Sequence, residues 1–225
     1  MSTKIGIITE GVIDDILLPV LLQRIARDRA NFTWPIMPDD LGRVIPLRKR
    51  GHGGVLDAVR KLVAILERNP PEDHAFIVIL LDRRTQAVQK EIRRLISGKH
   101  LFVLGIAIEE LEAWWLADRK NTLAWLGFHE QQGETHLYWK SSYKPEKDPA
   151  PKKTLDQLTE MSPRLEHRYG EGNAELAREF AEDFWKENAD LDRIERDCHK
   201  GFRPFCRVVT QKLRHEKSGL GILPF

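Results

Sequence analysis

Three apolar segments, each suited to a buried strand, run directly into a carboxylate. Lys4-Ile5-Gly6-Ile7-Ile8-Thr9 ends at Glu10, Ala75-Phe76-Ile77-Val78-Ile79-Leu80-Leu81 at Asp82, and Leu101-Phe102-Val103-Leu104-Gly105-Ile106-Ala107-Ile108 at Glu109. Continuous apolar runs, as opposed to alternating ones, belong to strands covered on both faces, the usual condition of a parallel sheet. Parallel strands bring their carboxyl ends to one edge, where ligands bind in open α/β sheets. Carboxylates gathered there repel unless a cation sits among them, and an all-oxygen set suits Mg2+ or Mn2+. The pattern therefore predicts a divalent-metal site assembled from distant parts of the chain.

Helical spacing fills the intervals. Ile13, Leu17, Leu21 and Ile25 form one face of a helix over Asp14 to Arg29. Pro19 lacks an amide hydrogen, so that helix either starts near Asp14 or Asp15 or bends. Phe32 to Leu47 reads as irregular, with a turn at Pro38-Asp39-Asp40-Leu41-Gly42 and a short strand over Arg43 to Leu47. Val55 to Arg68 repeats apolar residues at helical steps, and Thr85 is a candidate cap for a helix that runs to Ile96, with Gly98 at its end. Strand alternating with helix predicts an α/β fold, a parallel Rossmann-like sheet with helices on both faces. Residues 1–118 form that core. Residues 119–225 read as a loop-rich, helical C-terminal addition packed on it, with helices over Thr154–Met161, Asn173–Asn188, Leu191–Cys198 and Pro204–His215.

Bulk properties narrow the class. Hydrophobic content of 41% beside 31% charged residues is that of a globular domain, and no apolar run approaches the roughly 20 residues that span a bilayer. The amino end lacks the layout of a signal peptide, so the expected location is cytoplasmic, without a membrane partner. Cys198, Cys206 and His199 fall short of a zinc set, and the cysteines read as reduced, partly buried thiols. A net charge of +2 is too small to argue for nucleic acid by itself.

Glu10-Gly11 closing the first strand, Asp14 after it and Asp82 closing a later strand resemble the TOPRIM fold of topoisomerases, bacterial primases and overcoming-lysogenization-defect nucleases. More narrowly, Ala107-Ile108-Glu109-Glu110-Leu111-Glu112-Ala113-Trp114-Trp115-Leu116-Ala117-Asp118 and Gly201-Phe202-Arg203-Pro204-Phe205 resemble an uncharacterised bacterial TOPRIM-like family, some members of which are encoded beside ATPases. The resemblance implies Mg2+-dependent phosphodiester chemistry on DNA or RNA, with Glu10 and Asp82 catalytic, and an ATPase partner in bacterial genome defence. The family motif is Asp-x-Asp. Its second position here is Arg84, which removes one ligand and puts a cation in its place. Glu109 and Glu112 stand three apart at the expected start of a helix, sharing a face while Glu110 points elsewhere. Glu10, Asp82, Glu109 and Glu112 are the expected metal ligands.

Basic residues supply candidate phosphate contacts. Arg48-Lys49-Arg50-Gly51-His52-Gly53-Gly54 precedes a helix whose amino end attracts anions, so Arg50 and His52 join Arg84 and Arg203 as expected contacts. The tail from Arg193 to Lys217 is also rich in cations, which reads equally as a solvated helix face. Trp114 and Trp115 stand about 100° apart on one helix. One is expected in the core, and the other against the C-terminal helices or a stacked base. Three readings follow: a TOPRIM-like nuclease, a non-catalytic TOPRIM-like subunit whose metal site Arg84 has weakened, and an unrelated doubly wound domain holding a phosphorylated ligand at Gly51 to Gly54.

Overall fold

The computed structural model describes residues 3–31, 36–40, 51–67, 74–82, 86–128, 138, 140–165, 168–169 and 174–218, with backbone alone at 36–40 and at His52. Strands β1 (Thr3–Ile8), β2 (Ile36–Asp40), β3 (His74–Asp82) and β4 (Phe102–Ala107) form one parallel sheet in the order β2-β1-β3-β4. Ile7 lies opposite Val78, and Val78 opposite Val103, so the three apolar runs register side by side.

Alternation along β3 explains why its whole run is apolar. Phe76, Val78 and Leu80 enter one core with Ile5 and Ile7, while Ile77, Ile79 and Leu81 enter a second with Ile8. Helices α2 (His52–Leu66) and α3 (Gln86–Ile96) cover the second face through Val55, Val59, Leu62 and Ile92. Helix α1 (Val12–Ala30) covers the first. It is joined there by α4 (Glu112–Ala117), α5 (Arg119–Trp125), α6 (Pro151–Glu160), α7 (Ala174–Phe180, continued by wider π-type turns over Ala181–Asn188), α8 (Leu191–Asp197) and α9 (Phe202–Lys217). The residues beyond 118 thus share a core with α1 and the sheet. Among the described residues, no helix is long and apolar enough to cross a membrane.

Several expectations are corrected. Residues 36–40, read as an irregular passage running into a turn, form β2, with Pro38 opposite Ile5. An edge strand tolerates the missing amide of proline because only one of its sides is paired. The strand expected over 43–47 lies outside the described residues. Helix α1 starts at Val12 and runs through Pro19, so the proline is not in the first turn. Glu109 is not helical at all, since α4 begins three residues later.

Trp114 and Trp115 are both buried, at 0% and 1% exposure, because α4 is packed on every side. Trp114 stacks on Phe205 and meets Phe202 edge-on, while Trp115 meets Tyr169 edge-on. The Gly201-Phe202-Arg203-Pro204-Phe205 segment is therefore part of the packing through Phe202 and Phe205. A Cβ on Gly201 would stand 3.0 Å from the Ile106 carbonyl oxygen and 3.1 Å from Trp114 Nε1, which lets α9 start against the end of β4. The buried Glu146 carboxylate accepts from the Gly201 amide at 2.6 Å and from the Lys200 amide, placing negative charge at the positive end of α9.

Much of the basic surplus closes helix ends. Arg214 and Lys217 donate to the carbonyls of Arg29 and Asn31 at the end of α1, and Arg24 donates to those of Lys186 and Ala189. Gly105 has the least room of the described glycines: a Cβ there would lie 2.7 Å from the Phe205 ring and 3.0 Å from Leu80. Gly105→Ala is expected to destabilise the fold by about 1–3 kcal/mol through overpacking. Urea unfolding checks it, and a Gly105→Ala, Phe205→Leu double variant should lose less than the sum of the two single changes.

Candidate metal centre

The acids gather where the strands end. β1 leads through Thr9 and Glu10 into α1, whose first turn holds Asp14, and the Gly11 amide donates to Asp14 Oδ2 at 3.0 Å. Glu10 reaches across the edge, its Oε1 accepting from the backbone amide of Asp82 at 3.1 Å, which ties the ends of β1 and β3 together. The Gly51 amide donates to the Glu10 carbonyl at 3.1 Å, so the amino end of α2 stands at the same rim. Gly51 has φ 86°, a left-handed conformation that costs glycine little.

Beyond β4 the chain turns at Glu109, whose φ of 67° is left-handed and strained for a side chain of this size. The i, i+3 helical relation between Glu109 and Glu112 is therefore absent. Glu112 opens α4 and is buried at 7% exposure. Its Oε1 accepts from the Tyr169 hydroxyl at 2.5 Å, and its carboxylate also accepts from its own backbone amide. Glu110, expected to point away, acts on the cluster: its charge bears on both Asp82 and Glu112, and its Oε2 accepts from the Lys152 amide at 2.9 Å.

Burial leads the electrostatics and crowding follows. The Asp82 carboxyl is pushed up to about 9, first by burial and then by the charges of Asp14, Glu112, Glu10 and Glu110. The Asp14 carboxyl is pushed up to about 8 by burial and the charges of Glu112, Glu10 and Asp15. Burial also raises Glu112, against the Tyr169 hydrogen bond. Glu10, Asp14, Asp82, Glu110 and Glu112 thus act on one another at a single edge.

In chemistry this donor set suits a hard divalent ion. In arrangement it does not: among the described residues no three His, Cys, Asp or Glu side chains form a group that could hold a metal. Glu10 is turned to an amide of β3, Asp14 to Gly11, Glu110 to Lys152 and Glu112 to Tyr169.

Of the expected phosphate contacts, Arg50 and Arg84 lie outside the described residues, as does the side chain of His52, which opens α2. Arg203 is exposed on the first turn of α9, its Nε donating to the Glu195 carbonyl at 3.1 Å. The sequence reading left Asp14 and Tyr169 out of the site. Asp14 was findable, one helical turn beyond a strand-ending acid. Tyr169 sits in a stretch without periodicity, and no local signal marks it.

A carboxyl raised above its unfolded value takes up a proton on folding. Its contribution to stability is full below the ordinary value of 3.8 and is lost as pH climbs through the folded value. Stability is therefore expected to fall as pH rises from about 4 to about 9 through Asp14 and Asp82, and Asp82→Asn should flatten that decline. Thermal melts across that range check the sign. Compared with protein-family models, with curated proteins and with solved structures, the chain shows no match.

Proposed function

We propose that this acidic edge is a divalent-cation centre for phosphodiester chemistry on DNA or RNA, carried by a TOPRIM-like fold. The observation behind the reading is the gathering of five carboxylates where parallel strands end, with burial first and their mutual charge second raising Asp82 to about 9 and Asp14 to about 8. Carboxylates gathered in this way, Glu112 buried and the others half-buried, are relieved by protons or by a cation, and such environments are candidate functional sites. The resemblance of Glu10-Gly11, Asp14 and Asp82 to the TOPRIM pattern adds support, with Glu10, Asp82, Glu109 and Glu112 as ligands of Mg2+ or Mn2+. The chemistry such an ion supplies is activation of water and neutralisation of the leaving oxygen. The amino end of α2, held at Glu10 through Gly51, suits a phosphate.

A second reading is favoured by one specific observation. The acid oxygens are engaged by protein donors, and no three of the described acids form a cation-holding set. That fits a non-catalytic TOPRIM-like subunit docking on a protein partner such as an ATPase, with Arg84 in place of a ligand.

Titration calorimetry with Mg2+ and Mn2+, followed by cleavage assays on single-stranded DNA, duplex DNA and RNA, separates the two. The first reading expects saturable binding and divalent-dependent cleavage that Glu10→Ala and Asp82→Ala each lower by more than about 100-fold, beyond the usual loss for residues outside the ligand shell. Absence of binding and cleavage, with Glu10→Ala matching the parent, overturns the first reading and favours the second.

A further inference from the structure

Helix α9 lies along β4 and runs opposite to it. Gly201 meets the Ile106 carbonyl oxygen where the strand ends, Phe205 fills the notch at Gly105, and Lys212 donates to the His100 carbonyl just before the strand begins. The start of α9 therefore stands at the end of the sheet that carries the acids, and the rest of the helix leads away from it. Its apolar side, with Phe202, Phe205, Val209 and Leu213, is buried. The side left in solvent carries a row of arginines. At about 100° per residue Arg203, Arg207 and Arg214, all exposed, fall within about 40° of one another, and the row extends about 16 Å along the helix.

Among the described residues no carboxylate pairs with that row. Exposed arginines elsewhere are paired within the fold: Arg60 with Glu91, Arg164 with Asp183 and Arg168 with Asp156. On α9, Arg203 and Arg214 donate to the backbone carbonyls of Glu195 and Arg29, which orient the side chains without cancelling their charge. Arg207 forms no hydrogen bond or ion pair among the described residues. The acids of the neighbouring α8 are engaged, Asp192 and Glu195 with Arg29, and Asp197 at 3.9 Å from Arg196. Glu216, the one acid of α9, is half-buried on the opposite side of the helix.

We propose that the exposed face of α9 is a track for the sugar-phosphate backbone of DNA or RNA, with Arg203, Arg207 and Arg214 as its phosphate contacts. The inference rests on the phosphodiester reading above for the choice of polyanion, and on α9 alone for the surface. A guanidinium offers phosphate oxygens a planar fork of donors and stays charged at any physiological pH. A row of such charges displaces condensed counterions as it takes up a polyanion, which gives affinity without reading sequence. An anionic membrane fits less well. A helix lying in a bilayer surface needs an apolar face to bury there, and that of α9 already packs on β4 and Trp114.

Fluorescence anisotropy of the full chain with labelled single-stranded DNA, duplex DNA and RNA, in EDTA over a range of salt, tests the track without calling on a bound metal. The parent is expected to bind at least one of them with an affinity that falls steeply as salt rises. Arg207→Gln should weaken that binding roughly 3- to 10-fold and lower the slope of log affinity on log salt by about one, and adding Arg203→Gln should lower it by about two in all. Arg93→Gln, exposed on α3 at the other face of the sheet, is the control and should change neither. Circular dichroism verifies that the variants stay folded. No binding by the parent, binding that the α9 changes leave as it was, or an equal loss from Arg93→Gln overturns the track. So does a parent that binds phosphatidylserine vesicles and none of the nucleic acids. Arginine-dependent binding in EDTA, with no cleavage once Mg2+ or Mn2+ is supplied, upholds the track and overturns the divalent-cation reading, whereas divalent-dependent cleavage untouched by the α9 changes does the reverse.

Discussion

The central strand β3 governs this molecule. With Phe76, Val78 and Leu80 on one face and Ile77, Ile79 and Leu81 on the other, it cannot lie at a surface. It needs a strand on each edge and helices on each face, and β1, β4, α1 and α2 supply them. Because all the strands run one way, Glu10 and Asp82 emerge at the same rim. The gathering of acids is thus a geometric result of burying β3, and its electrostatic strain is offset within the fold by amide and hydroxyl donors.

Those donors give the edge a double character. The Glu10 link to the Asp82 amide ties two strand ends, and the Glu146 link to Gly201 anchors the amino end of α9. Both place a carboxylate on backbone amides. Glu146 holds Gly201 against the end of β4, with Phe202 and Phe205 packed around Trp114. The Gly201 to Phe205 segment therefore packs against β4.

The strands and most helices were legible because burial on two faces leaves an unbroken apolar run and burial on one leaves a helical repeat. β2 was not, since an edge strand containing Pro38 carries the residues of a turn. The Trp114 and Trp115 pair misled for a related reason: a one-sided helix can bury only one of them, but α4 is enclosed. At the site, Glu10 and Asp82 were legible as strand-ending acids. Glu110 and Glu109 were not correctly placed, because the left-handed turn at Glu109 breaks the helical phase that sequence spacing assumes. Tyr169 owes its place to long-range packing, with its partner 57 positions away.

The notch at Gly105 also bears on how the chain reaches this state. The ring that fills it belongs to Phe205, a hundred positions downstream, so β4 stays uncovered on that side until α9 has been synthesised. Contacts so distant along the chain close slowly. A chain that ends before α9 therefore lacks the ring that covers Gly105 and Trp114, and leaves that apolar face of the sheet open.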